Sequence, residues 1–120
     1  MEKHIQEVDD VRQVDPYGIA QHAPGSKLDA GKPDMSLLLD FGRALEDVAR
    51  LCTVGAEKYS RTGWVSVPDG INRYTAAMMR HLTHENREKY DKETKVLHAT
   101  ATAWNALARL ELMLRGEAND

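Results

Sequence analysis

The chain has 120 residues, 42% of them hydrophobic and 29% charged, with a formal net charge of −3. That length suits one domain with a small core, and the charge argues against a general nucleic-acid coat or a surface for anionic membranes. The single cysteine, Cys52, excludes an internal disulfide, and no apolar run approaches a membrane span or a signal-peptide core, so a cytoplasmic protein is expected.

Residues 1–24 carry charge, Gln and Val without a sustained period and read as a poorly ordered arm, with a short helix over Glu2–Gln13 at most. His4 and His22 read as solvated. The stretch Gly25-Ser26-Lys27-Leu28-Asp29-Ala30-Gly31-Lys32-Pro33-Asp34 interleaves glycines, a proline, lysines and aspartates, which predicts an extended segment containing turns. It is either a surface loop leading into a helix or a place where Lys27, Lys32 and backbone N–H groups meet an anion such as a triphosphate. It is not a Walker A loop, because the closing Gly-Lys-Ser/Thr is absent.

A helix is predicted from Met35 to about Thr53, capped by Ser36, with an apolar stripe of Leu37/Leu38, Phe41, Ala44/Leu45, Val48 and Leu51/Cys52. On that reading Cys52 is a buried small hydrophobe. Glu46 stands on the polar face beside Asp47. Gly55 interrupts or ends the helix, and Ala56–Tyr59 adds at most a further turn. Residues 60–70 form a loop in which Trp64 either plugs the edge of the core or stacks on a base.

A second helix is predicted over Gly70–Glu88 with Asp69 as its cap, and Ile71, Tyr74/Thr75, Met78 and Leu82 make its stripe. Arg73, Arg80, His81, His84 and Glu85 crowd this helix. His81 and Glu85, four apart, share a face and form either an ordinary surface pair or part of a divalent-metal site. A polar turn, Tyr90–Thr94, leads into the last helix, which Arg115 and Gly116 are placed to close. Its apolar positions are Leu97, Ala101, Trp104, Leu107, Ala108, Leu110 and Leu114. His98 and Asn105, about two turns apart, project from one side and belong either to a satisfied polar seam or to a site. Glu117–Asp120 is a tail.

Four stretches, taken in order, are similar to the phage and bacterial dATP/dGTP diphosphohydrolase-like family: KLDAGKP (Lys27–Pro33), ALEDVARLCTVGAEKY (Ala44–Tyr59) followed by Gly63-Trp64, RYTAAMMRHLTHE (Arg73–Glu85) and YDKETKVLHATATAWNALARLEL (Tyr90–Leu112). The resemblance covers Lys27 to about Leu112. It implies an all-α domain related to the MazG-type pyrophosphohydrolases, three main helices after an extended N-terminal arm, occupying residues 25–116. It also implies hydrolysis of purine deoxynucleoside triphosphates to monophosphate and pyrophosphate, with Mg²⁺ held by helix carboxylates. Two features depart from the relatives. Glu85-x-x-Glu88 matches the first half of the MazG acidic pattern, but no Glu-x-x-Asp follows. The turn that in relatives often reads Asp-Pro-x-Thr/Ser-Gly here has Lys92 for the proline and Lys95-Val96 in the glycine region.

Read through that chemistry, Glu46, Glu85, Asp91 and Glu93 are the candidate metal ligands, since Mg²⁺ seeks hard oxygens. Lys27, Lys32, Lys58 and Arg80 are the donors for phosphate charge. His81 or His98 takes the proton of the attacking water. Trp64, Tyr59 and Asn105 supply a stacking surface and polar edges for the base. The partners expected are a purine (deoxy)nucleotide and further copies of the chain, with neither duplex nucleic acid nor membrane. The alternative is a phage-type nucleotide-binding protein that sequesters its ligand without turning it over. A purely structural module, its His and Asn residues serving as core polar groups, is a third possibility.

Overall fold

The computed structural model describes residues 13–119 and divides the chain into two compact units, Met1–Asp40 and Phe41–Asp120. His4 and most of the short helix considered over Glu2–Gln13 lie outside the described residues.

In the first unit residues 13–34 form turns gathered on one carboxylate. Asp15 is buried and accepts the backbone N–H groups of Tyr17 at 2.7 Å, Ile19 at 3.4 Å and Lys27 at 2.8 Å. The amide of Lys27, with those of Tyr17 and Ile19, outweighs the opposing effect of burial and holds the Asp15 carboxyl below its ordinary range. The Ala30 N–H donates to Val14 O at 3.0 Å, and Gly31, with φ +78°, turns the chain between them and Pro33 in a conformation that costs glycine least. Lys27, Lys32 and His22 are all exposed.

The second unit is a three-helix arrangement. A 3-10 segment, Met35–Phe41, which belongs to the first unit as far as Asp40, leads into α1, Gly42–Lys58; a second 3-10 turn, Gly63–Ser66, precedes α2, Gly70–His84; α3, His98–Asn119, follows. Among the described residues the only β pairing is a single antiparallel bridge, Tyr90 with Leu97. The helix α2 packs along α3, and α1 makes a smaller contact with α3. Trp64, Tyr74 and Trp104 join the 3-10 turn to both long helices. Trp104 meets Tyr74 edge-on at 5.5 Å and Trp64 at 6.2 Å, and the Tyr74 hydroxyl donates to Trp64 O at 2.7 Å. Trp64 thus packs against the edge of the core.

Several element ends differ from those expected. Ser36 does not cap an α-helix: it donates to the Asp34 carboxylate, and α1 begins only at Gly42. α1 continues through Gly55, with Val54 and Ala56 on either side in helical geometry, and ends at Lys58. Asp69 occupies the N-cap position of α2 in a left-handed conformation (φ 55°), and its carboxylate accepts from the Asn72 side chain at 2.9 Å instead of a backbone N–H. α2 stops at His84, four residues before Glu88. α3 runs past Gly116 to Asn119. The stripe of the first helix is not buried either. No residue of Met35–Phe41 or α1 is fully buried, Leu37, Leu38, Phe41 and Leu45 are exposed, and so is Cys52.

Candidate functional site

The loop between α2 and α3 positions the most unusual side chains. After His84 the chain folds back on itself: the His98 N–H donates to Lys89 O at 3.0 Å and the Asp91 N–H to Val96 O at 2.8 Å. Inside this narrow loop the Asp91 carboxylate accepts the Thr94 N–H at 2.9 Å and the Thr94 hydroxyl at 2.7 Å. The loop thus delivers Asp91 and the first residue of α3, His98, to the last turn of α2, where His81 waits. One nitrogen or carboxylate oxygen from each of His81, Asp91 and His98 lies within 4.8 Å of the others. The two Nδ1 atoms are 2.9 Å apart, and the His84 ring meets the His98 ring edge-on at 5.6 Å.

His98 is buried, only 3% exposed, and its Nε2 has no hydrogen-bond partner among the described residues. Burial lowers the pKa of His81 below its ordinary 6.5; Asp91 opposes this, while His98, Arg80 and His84 add to it. Burial pushes Asp91 up, but the Thr94 hydroxyl and amide and the two imidazoles outweigh it, so the carboxyl stays below its ordinary 3.8. At neutral pH the trio is therefore an anionic carboxylate beside an unprotonated imidazole.

His81 and Asp91 line a cleft of about 780 Å³, within the usual range for small-molecule sites. Lys58, Tyr59, Trp64, Arg80, Glu93 and Asn105 line it too. Four cationic side chains, Lys58, Arg61, Arg73 and Arg80, face two carboxylates, Asp91 and Glu93. A chain of net charge −3 thus holds a cationic cleft. Lys58 pairs with Glu93 across its rim; this bond is the main reason the Lys58 pKa is raised. Asn105 is buried and donates to Ala101 O of its own helix at 2.8 Å, which leaves its amide oxygen for a ligand.

The other expected site residues are placed elsewhere. Glu46 is exposed and paired with Arg50 at 2.7 Å. Glu85 is exposed just past α2 and is not among the cleft's lining residues. Lys27 and Lys32 belong to the first unit. Of the four carboxylates expected to hold Mg²⁺, only Asp91 and Glu93 share the cleft, and Glu93 is engaged by Lys58. The donor set actually assembled, two imidazoles and one carboxylate, does not fit Mg²⁺, which prefers oxygen ligands in near-octahedral order.

The model of the family described as dATP/dGTP diphosphohydrolase, N-terminal, matches residues 22–120. The chain belongs to this family. A dATP/dGTP diphosphohydrolase of Salmonella phage PMBT28 is 36% identical over 80 residues, which make up 66% of this chain and 26% of that protein. The chain thus spans about a quarter of the length of the relative it matches. No solved structure matches.

Within this diphosphohydrolase-family domain three residues take places that their sequence context does not indicate: Arg61, Asp47 and Arg73, the last distinguished only as part of a crowded helix. Arg61 and Arg73 face the cleft, and the signal for them was weak: Arg61 stands in a loop without period, and Arg73 is one arginine of two on α2. Asp47, not its neighbour Glu46, is the acid of α1 that reaches another helix. It accepts the hydroxyl proton of the buried Thr100 on α3, the first cause of its lowered pKa. The α2–α3 connection runs from Glu85 to Leu97, longer than the Tyr90–Thr94 turn expected, and it brings His98 level with His81. Among the described residues no helix is long and apolar enough to cross a membrane.

Proposed function

We propose that the cleft binds a purine deoxynucleoside triphosphate and hydrolyses it to monophosphate and pyrophosphate. The observation that carries this reading is the conjunction, in one cleft, of four cationic side chains with His81 and Asp91, which gather with the buried His98 behind the cleft wall. Family membership supports the class of chemistry, and the phage relative's name supports dATP and dGTP as the substrates to test first.

The cations act on the phosphates. Lys58, Arg61, Arg73 and Arg80 offset the triphosphate charge and the charge that moves to the leaving group. Water held at the trio attacks the α-phosphorus. The bond from that phosphorus to the oxygen bridging to the β-phosphate breaks, and pyrophosphate leaves with its electron pair. The unprotonated His81 is placed to take the water's proton, with Asp91 stabilising the imidazolium that forms. Tyr59 and the amide oxygen of Asn105 are the base-recognition candidates, while Trp64, held edge-on by Trp104 and Tyr74, gives that end of the cleft a rigid wall. The setting is the cytoplasm, where nucleotide pools are.

A second reading, ligand binding without turnover, is favoured by one observation: Glu46 and Glu85 lie outside the cleft. Product analysis separates the two. Purified protein is incubated with a panel of dNTPs and NTPs, with and without added divalent cations. Monophosphate and pyrophosphate in equal amounts, lost in Asp91→Asn, supports the hydrolase. Intact triphosphate recovered from the denatured protein, with no turnover under any condition, replaces it with the binding protein.

A further inference from the structure

We infer that His81, Asp91 and His98 form a binding site for one borderline divalent transition-metal ion, such as Zn²⁺ or Co²⁺, and not for Mg²⁺. The inference deepens the proposed hydrolytic centre by naming what its three side chains hold, and it revises one role there: a His81 lone pair that binds an ion is not free to take the water's proton, and the ion would acidify that water instead. Its test does not depend on turnover.

The geometry carries the argument. Two imidazole nitrogens bound to one ion at about 2.0–2.1 Å, with angles between a right angle and the tetrahedral one, sit about 2.8–3.4 Å apart. The two Nδ1 atoms stand at 2.9 Å, and the Asp91 oxygen completes a group whose members all lie within 4.8 Å of one another. Three protein ligands with room for water or a substrate oxygen is the arrangement of an open metal site. The donor types decide the ion: imidazole suits Zn, Cu, Fe and Ni, with Co²⁺ close to Zn²⁺ in its preferences, whereas Mg²⁺ seeks oxygen and gives up its water reluctantly.

The polar bookkeeping agrees. A neutral imidazole has one N–H and one lone pair. With the proton on Nε2, His98 directs its Nδ1 lone pair at His81, whose Nδ1 then supplies at most one proton to the gap. With one Nδ1 protonated the 2.9 Å approach is an N–H···N hydrogen bond; with both presenting lone pairs it is repulsive unless a cation lies between them, so an ion would replace that one proton. Asp91 adds a negative charge to the same space. Its carboxylate is already oriented by the Thr94 hydroxyl and amide, the outer support that ligating carboxylates ordinarily have. His98 is fixed as the first residue of α3 by its backbone bond to Lys89.

Metal-stripped full-length protein titrated with Co²⁺ tests this without nucleotide. Visible d–d bands should grow to an end point near one equivalent. His81→Ala and Asp91→Ala should weaken binding by more than about 100-fold, beyond what loss of an outer partner costs. His84→Ala, which touches the His98 ring but contributes no atom to the trio, should keep the bands, and circular dichroism checks that each variant is folded. Excess Mg²⁺ should leave the bands in place, and Zn²⁺ should remove them. Bands that are absent, that survive both ligand substitutions in folded protein, or that Mg²⁺ displaces at equal concentration would overturn the inference. Co²⁺ binding at the trio with no nucleotide turnover would sink the hydrolase reading alone; turnover without binding at the trio would sink this one alone.

Discussion

Lys95 shows how one residue can depart from a pattern without changing the fold. It sits at φ 69°, in the left-handed region, and is one of two non-glycine residues there among the described ones. The resemblance places it in a region where relatives often carry glycine. The conformation is enforced by the turn: the Lys95 N–H donates to Asp91 O at 2.9 Å while Thr94 holds the Asp91 carboxylate. The Lys95 side chain is exposed and makes no ion pair among the described residues. Substituting glycine removes the steric cost of that conformation and adds some unfolded-state entropy, for a net gain of roughly 0.5–1 kcal/mol. Lys95→Gly should therefore raise the urea midpoint and leave turnover unchanged. A lower midpoint would mean that the turn around Asp91 has another shape. The residue scale is also where the sequence was least legible. Which of two adjacent acids, Glu46 or Asp47, faces α3 depends on helix phase to within one position, and periodicity does not resolve that.

At the scale of elements, apolar spacing was enough to place all three helices, because each presents residues at three-and-four intervals. The ends were harder. Gly116 has the composition of a helix stop, following Arg115 at the end of the stripe, yet α3 continues through it to Asn119 with Gly116 at negative φ. The two readings predict opposite effects of one methyl group. Within a helix, with open space where the Cβ would be, Gly116→Ala should stabilise by about 0.5 kcal/mol, less than the full interior value because the end is near. At a left-handed cap the same change would destabilise by about 1 kcal/mol. A thermal or urea titration reads the sign directly. The pairing of His81 with His98 belongs to this scale as well. Both residues were visible as candidates, but their register depends on the path of residues 85–97. That path is set by the Tyr90–Leu97 bridge and the Asp91 turn, and neither leaves a periodic trace.

On the scale of the whole molecule, the core of a single chain is too small for its length. Ala101 and Ala108 are the only hydrophobic residues fully buried among those described, while Phe41 is 61% exposed, Leu107 50% and Leu110 46%. At about 25 cal/mol per Å² of apolar surface removed from water, two alanines contribute little against the conformational entropy of ordering a domain. The α1 stripe makes the point most directly. Phe41, Leu45 and Cys52 follow one another at helical spacing and are all exposed, though the sequence pattern is that of a buried face. Amphipathicity tells which face of a helix is apolar and is silent on what covers it. A second copy of the chain is the covering this argues for, since a small helical domain that cannot close its own core commonly closes it by self-association. Sedimentation at micromolar concentration should give a mass of at least two chains. Leu45→Glu, a charge placed in the middle of the uncovered stripe, should shift the protein toward single chains and lower its unfolding temperature together. A wild-type protein that sediments as one chain and still unfolds cooperatively would show that α1 is stable with its apolar face in water, and the argument from core size would fail.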